Sequence, residues 1–268
     1  MNRKIFSHLG VNAYGVGTIA LGISGLVWRD FATDWQRVHG DFAGRTALAV
    51  IVALCELVSG VLLLRRQTAR AAAAMLTILY FILVLLWVPP ILAAPTVYDS
   101  YGNFFEELSL VLAGAVAYAS FAPAGSGWAN RRALISRCYG VCAISFALEH
   151  FFYLQGAASF VPKWIPPGQM FWAVATAVFF SMAAAAILTG ILAGLASRLL
   201  AIMIFSFEVL VWAPRLFHSP RVHFEWSGNA VALALSGAAW LLADAIGERQ
   251  GARVPQTAAK VATLEAAS

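Results

Sequence analysis

Charged residues are scarce in this sequence. Lys, Arg, Asp and Glu make up 12% of the 268 residues, whereas hydrophobic residues make up 61% and the mean hydropathy is +0.77. Soluble domains usually contain about 25% charged residues, so this composition excludes an ordinary soluble globular protein. It indicates an all-α polytopic membrane protein, because helices satisfy their own backbone hydrogen bonds within lipid.

Cysteine and metal-binding motifs are also scarce. The chain has three cysteines and no Cys-x-x-Cys pair, so a thiol–disulfide relay is not expected. His218 and His223 form only a weak metal signal, because neither a His-Glu-x-x-His motif nor a Cys/His cluster accompanies them. No metal site is predicted. A basic face interleaved with aromatic residues is missing as well, and no nucleic-acid partner is expected.

Long apolar segments dominate what is present. A helix needs about 20 mostly apolar residues to cross about 30 Å of hydrocarbon. Eight segments meet this requirement and predict eight transmembrane helices. Their expected bounds are Leu9–Trp28, Arg45–Leu64, Ala69–Ala94, Phe104–Phe121, Leu134–Leu154, Met170–Leu195, Arg198–Phe217 and Gly228–Ile246.

The distribution of Lys and Arg predicts the orientation, since short cytoplasmic loops are rich in positive charge. Most of the 18 Lys and Arg residues lie near the termini and in the connections after spans two, four and six. The other connections mix positive charges with Asp and Glu. Both termini are therefore expected in the cytoplasm, with the protein in the inner (plasma) membrane of the cell. The formal net charge of +5 follows from the same bias.

The two halves of the chain resemble each other. Three short motifs of the first half return in the same order, at a nearly constant offset. Tyr14-Gly15-Val16, Trp87-Val88-Pro89 and Gly114-Ala115 are followed by Tyr139-Gly140-Val141, Trp212-Ala213-Pro214 and Gly237-Ala238. Because each half starts and ends inside, two parallel four-helix repeats are predicted. The expected domains are repeat one at 1–124, a basic cytoplasmic linker at 125–133, repeat two at 134–247 and a disordered cytoplasmic tail at 248–268.

Further motifs connect both halves to a known family. In the second half, Leu148-Glu149-His150-Phe151 is followed by the Pro-rich segment 160–167 and, before the last span, by Glu225-Trp226. In the first half, Cys55-Glu56-Leu57-Val58-Ser59-Gly60 precedes a Leu run and Thr68-Ala69-Arg70. This order resembles the DoxX-like membrane proteins over about Tyr14 to Asp244. The resemblance implies a duplicated four-helix unit and an association with quinone-linked redox complexes.

Acidic residues within the spans are candidates for a functional site, because an unpaired carboxylate at membrane depth normally faces a cavity or a partner. Glu56 is expected near the membrane midplane, and Glu208 is similarly deep. Trp212 and Arg215 follow Glu208 at i+4 and i+7, so the three are expected on one helix face. Arg215 is suited to bind an anionic head group.

A second polar group is expected at the outer ends of the spans. Glu149 and His150 lie near the outer end of span five, while Glu106 and Glu107 open span four from the same side. We predict one outward-opening cavity between the two halves. The catalytic candidates are Glu208, His150, Glu149 and Glu56, and the cofactor-binding candidates are Trp212, Arg215, Trp164, Glu225 and Trp226.

Each candidate also has a structural interpretation. Glu56 and Glu208 are compatible with neutral carboxyl groups that are hydrogen-bonded to a neighbouring helix. His150 is compatible with an amphipathic anchor, and the outer tryptophans with an aromatic belt at the membrane interface. The sequence by itself leaves both interpretations open.

Three functions fit these patterns. In the first, a redox-associated membrane subunit binds a quinone near Trp212 while Glu208, His150 and Glu149 exchange protons; a partner protein supplies the electrons. The second is a proton-coupled small-molecule transporter or an accessory subunit, which parallel repeats and midplane acids favour. The third is a membrane-embedded lipid or terpenoid isomerase or cyclase, since acids protonate alkenes and aromatic faces stabilise carbocations.

Overall fold

The chain folds into a bundle of helices. The computed structural model describes residues 9–38, 40–123 and 125–265, and it leaves out the side chains of Asn130, Ala133 and residues 248–265. All regular secondary structure in the described ranges is helical, which confirms the predicted all-α class. The helices are α1 (Leu9–Trp28), α2 (Arg45–Leu63), α3 (Ala69–Leu85), α4 (Val88–Ala93), α5 (Asp99–Ser120), α6 (Gly127–Phe152), α7 (Leu154–Phe160), α8 (Gln169–Thr189), α9 (Ala193–Phe207), a π-helical turn (Glu208–Trp212), α10 (Ala213–His218) and α11 (His223–Glu265).

Six helical segments in the described part are long and apolar enough to cross a membrane. They are Leu9–Trp28, Arg45–Leu63, Ala69–Ala93, Gln169–Thr189, Ala193–His218 and His223–Gly247. A seventh results if α6 and α7, which are bent by 95° relative to each other, form one span. The predicted fourth span is also a helix, α5, but Asp99, Glu106 and Glu107 lower its hydropathy. The count of eight spans therefore stays a prediction.

Several helix ends differ from the prediction for local reasons. The sixth predicted span ends at Thr189, before Leu195, because Gly190 adopts a left-handed conformation with φ of 81°. Helix α6 starts at Gly127, where the Ser126 side chain accepts a hydrogen bond from the Ala129 backbone N–H. Most of the predicted linker 125–133 thus belongs to this helix.

Two of the spans are interrupted at a Trp-x-Pro motif. Pro89 and Pro90 follow the break between α3 and α4, and Pro214 follows the π-helical turn. Proline lacks a backbone N–H and its ring clashes with the preceding helical turn, so a regular α-helix cannot run through it undisturbed.

Small residues allow α1 and α11 to pack closely. A Cβ atom on Gly237 would collide with the backbone of Tyr14, and one on Gly17 would collide with the backbone of Ala234. Close approach at small residues is the usual way in which membrane helices gain packing energy. This contact joins the first helix of the described residues to the last and closes the bundle.

The remaining contacts define the order of the helices. In the first half, α1 packs on α2, α2 on α3 and α3 on α5; in the second, α6 packs on α8, α8 on α9 and α9 on α11. Helix α5 also contacts α6 and α11 and so joins the halves. Large apolar side chains on the outside remain exposed, among them Ile51, Ile78, Met182 and Leu195, as expected for a surface in contact with lipid.

Helix α11 continues beyond the apolar part of the chain, so the C-terminal segment is helical up to Glu265. The sequence predicts a disordered tail from residue 248 onward. Residues 1–8, His39, Ala124 and 266–268 lie outside the described residues, and so do the parts of the predicted domains that include them.

Candidate functional site

A cavity of about 380 Å³ lies at one end of the bundle, where the long connections 29–44 and 153–168 meet. A smaller cavity of about 110 Å³ adjoins it. The two share part of their lining and together reach from the end of the bundle toward its interior. The shared residues are Trp35, Glu106, Glu149, His150, Phe207 and Trp212. Because they come from both halves, the cavity is a composite of the two.

One side of the cavity is rich in carboxyl groups. Asp34, Asp99, Glu106 and Glu149 all line the larger cavity. Glu149 extends from α6 toward α5, where a Cβ atom on Gly102 would lie 2.6 Å from its Cδ atom. A glycine at this position thus leaves the space that the Glu149 carboxyl occupies.

His150 adds a titratable imidazole to the same side. Its Nδ1 atom lies 2.8 Å from the carbonyl oxygen of Phe146. Since a carbonyl oxygen only accepts hydrogen bonds, this contact requires a protonated Nδ1, and the neutral ring then presents Nε2 as an acceptor. The ring also contacts Phe180, with 5.1 Å between the ring centroids.

The cavity also has an aromatic wall. Trp35 stacks on Phe224 with 5.5 Å between ring centroids, and it meets Trp212 edge-on at 5.7 Å. Phe160 contacts Trp212 at 5.7 Å, and Phe207 completes the wall. These rings come from the 29–44 connection and from α7, α9, the π-helical turn and α11.

Three hydrogen bonds position Trp35. Its indole N–H donates to Glu106 Oε2 at 2.7 Å, and its own carbonyl accepts from the Trp87 indole at 3.2 Å. The Gln36 side chain fixes the local turn by accepting from the Ala32 backbone N–H at 3.0 Å. The 29–44 connection is therefore folded into the bundle, and Trp35 is 8% exposed.

Arg215 and Glu225 form an ion pair beside the aromatic wall. Arg215 Nε and Nη2 each donate to one Glu225 carboxylate oxygen, both at 2.8 Å. The guanidinium also lies over the ring of Phe160 at 4.8 Å and over Trp212 at 5.6 Å. Neither of these two cofactor-binding candidates lines the cavity, so their ion pair supports the wall without facing the cavity.

Glu208 lies apart from the cavity, although it was predicted to share a face with Trp212 and Arg215. The π-helical turn explains the difference, because the Ala213 N–H bonds to the Glu208 carbonyl, five residues earlier. This extra residue per turn shifts the helix face. Trp212 therefore lines the cavity, whereas the buried Glu208 carboxyl interacts with Asn229 of α11.

Glu56 belongs to a separate buried polar cluster in the first half. Its Oε1 atom accepts from Gln36 Nε2 at 2.7 Å, and its carboxyl also interacts with the Tyr80 hydroxyl. Glu107 lies near the same group, and Tyr14 donates to the Leu110 carbonyl at 2.9 Å. Glu56 is thus hydrogen-bonded to neighbouring side chains, the structural arrangement that the sequence left open.

The two remaining candidates also lie away from the cavity. Trp164 is 72% exposed in the 153–168 connection. Trp226 donates from its indole N–H to the Pro220 carbonyl at 2.8 Å. Neither side chain contributes to the cavity wall.

Sequence reasoning missed several cavity residues. Trp35, Asp34 and Phe224 were not recognised, although Asp34-Trp35-Gln36 stands out as one aromatic and two polar residues in a long connection. In the sequence, a tryptophan at the end of a span looks like a member of the aromatic belt at the membrane interface. Only the inward orientation of Trp35 in the structure shows that it lines the cavity. Glu106 was placed correctly on the same side as Glu149 and His150.

The arrangement combines an aromatic wall with groups that accept and release protons. It is suited to bind a small amphipathic molecule. Its titratable side chains can exchange protons with the bound molecule, or can take up and release protons when the molecule binds. No group of three His, Cys, Asp or Glu side chains in the described part is arranged to hold a metal ion. A comparison of the chain with protein-family models, with curated proteins and with solved structures finds no match.

Proposed function

We propose that this protein is a proton-coupled carrier for a small molecule, which binds in the composite cavity between the two halves. The observation that carries the proposal is that Glu106, Glu149 and His150 line the same cavity as Trp35 and Trp212. Ligand contacts and proton exchange then occur in one place, so that each can change the affinity for the other. Buried ionisable groups in membrane proteins are commonly proton relays or parts of substrate pathways.

The proposal includes eight spans arranged as two parallel four-helix repeats. The protein lies in the plasma membrane, and both of its termini face the cytoplasm. The packing order supports the repeats, because consecutive spans contact one another in the same pattern in both halves. The break at a Trp-x-Pro motif also recurs in the third span of each half. On this topology the cavity opens to the outside.

The coupling is testable in proteoliposomes that contain a pH-sensitive dye. Small molecules of three kinds, a cation, a neutral quinone and an anion, are added outside in turn. At least one kind should cause a saturable pH change inside, and Glu149→Gln should abolish it. Glu56→Gln is the matched control, because this buried acid lies outside the cavity and the amide oxygen of the new side chain still accepts a hydrogen bond from Gln36 Nε2. If no kind of molecule moves protons, the carrier proposal is wrong.

A second candidate is a quinone-associated redox subunit. The DoxX-like resemblance suggests it, and the cavity supports it through the flat rings of Trp35 and Trp212 beside the proton-exchanging Glu149 and His150. Electrons would come from a redox partner protein. Mass spectrometry of the organic extract of purified protein should then find one quinone per chain, and Trp212→Leu should lose it. Phospholipid alone in both samples would exclude this candidate.

A further inference from the structure

We infer that the ligand of the composite cavity is an organic cation, an ammonium group carried on an apolar or aromatic body. This inference rests on the proposed function, because it specifies the ligand of that same site. Two independent features of the cavity lead to it. Its polar side is acidic, and its apolar side consists of aromatic rings.

The polar side is acidic, and no Lys or Arg of its described lining balances the carboxyl groups. Four carboxyl groups line the larger cavity, and none of its described lining residues is Lys or Arg. Of the four, Glu106 is hydrogen-bonded to Trp35. Glu149 is largely buried and, within the described residues, its carboxyl has no hydrogen bond or ion pair. An unpartnered carboxyl in such a place is costly, and a bound cation would remove that cost.

Arg215, a cation that lies against the aromatic wall, is already paired with a carboxylate. Arg215 lies behind the aromatic wall, and both of its hydrogen bonds to Glu225 measure 2.8 Å. Its charge is therefore compensated by a carboxylate outside the cavity. Arg215 therefore leaves the carboxyl groups of the cavity without a compensating charge.

The aromatic side selects an organic cation over an inorganic one. Trp35 and Trp212 meet at an interplanar angle of 70°, and Phe224 and Phe160 extend the wall. Aromatic faces attract ammonium groups, above all in desolvated sites, and arrays of such rings recognise quaternary ammonium ligands. A small metal ion instead requires a cage of oxygen ligands, and the described acids are not grouped in that way.

Protons and the cation should compete for the same groups. The titratable side chains that face the cavity are Asp34 from the 29–44 connection, Asp99 and Glu106 from α5, and Glu149 and His150 from α6, with Tyr153 at its end. Two carboxylates as close as those of Glu106 and Glu149 repel each other, and a bound proton relieves this repulsion when no cation is present. Entry of an ammonium group displaces protons, and this exchange is the coupling step of the proposed carrier.

The test compares benzyltrimethylammonium with neopentylbenzene, its neutral carbon isostere, on the full chain in detergent. Binding is followed by tryptophan fluorescence, with protein-free micelles as the blank, and proton release by calorimetry in two buffers of different ionisation enthalpy. We expect saturable binding of the cation, with release of protons, and at least about tenfold weaker binding of the isostere. Glu149→Gln and Glu106→Gln should each weaken cation binding about tenfold or more, whereas Glu56→Gln should not.

The outcomes separate the inference from the function on which it rests. Equal binding of the two isosteres would overturn the cation inference and leave a cavity that binds neutral molecules, as the carrier proposal allows. Cation binding that neither cavity variant weakens, or no binding, would also overturn it. A proton flux driven only by neutral or anionic molecules in the proteoliposome assay would leave the carrier proposal standing without the cation. If Glu149→Gln does not fold, Glu106→Gln and proton release by the wild type decide the matter.

Discussion

At the scale of single residues, the cavity depends on side chains that hold one another in place. Trp35 is fixed by Glu106 on one side and by the Trp87 indole on the other. Arg215 and Glu225 support the aromatic wall from behind. Three of the predicted residues, Glu149, His150 and Trp212, line the cavity themselves.

The Arg215–Glu225 pair should matter for stability more than for ligand charge. Arg215→Ala leaves the Glu225 carboxylate, 10% exposed, without its partner. We expect a loss of about 1–3 kcal/mol in the free energy of unfolding, measurable as a lower melting temperature in detergent. The double variant Arg215→Ala with Glu225→Gln should recover part of the loss. If the single and double variants melt alike, the unpaired carboxylate is not the cause.

At the scale of elements, glycine positions determine how closely the first and last helices approach. Gly237→Ala places a Cβ atom against the backbone of Tyr14. Backbone atoms cannot move aside as a flexible side chain would, so we expect destabilisation of about 1–3 kcal/mol. The measurement is thermal unfolding in detergent. Gly127→Ala is the matched control, because a Cβ atom there meets nothing within 4 Å; equal melting of both variants would contradict the close contact.

The π-helical turn is a second secondary-structure element on which the cavity depends, because it carries Trp212. Pro214→Ala restores a backbone N–H and removes the ring that disturbs the helix. We expect the segment to return toward regular α-helix, so that Trp212 leaves the cavity wall while the protein stays folded. Binding of benzyltrimethylammonium should weaken several-fold, and melting should change little. Pro123→Ala, in the turn at the other end of the bundle, should bind as the wild type does; unchanged binding in Pro214→Ala would show that the turn does not position Trp212.

At the scale of the whole molecule, the membrane topology is open to direct measurement. In a variant with Cys55, Cys138 and Cys142 replaced by Ser, single cysteines are introduced at Lys163, beside the cavity, and at Gly125, between the two halves. A membrane-impermeant maleimide should label Lys163→Cys in intact cells. It should label Gly125→Cys only after permeabilisation. The opposite pattern would reverse the orientation, and labelling of both from outside would contradict four crossings per half.

Much of the fold was predictable because hydropathy acts over whole segments. The end of α1 at Trp28 was predicted to the residue, and the other apolar segments coincide with helices. The helix ends at Gly190 and Ser126 depend on local backbone conformation and capping, which hydropathy does not register. Whether the acidic α5 crosses the membrane depends on partners for its carboxyl groups, and these are supplied by neighbouring helices and not by its own sequence.

The sequence by itself determined the helical class, most of the spans and the presence of acids where lipid disfavours them, because each of these follows from local composition. Only the tertiary structure decided which acids act together. Glu149 meets Glu106 across the two halves, Glu208 is turned away by one extra residue in a π-helical turn, and Glu56 is hydrogen-bonded in a separate cluster. Whether a carboxyl group faces a cavity or a hydrogen-bond partner is set by contacts between residues far apart in the chain. No local pattern encodes them.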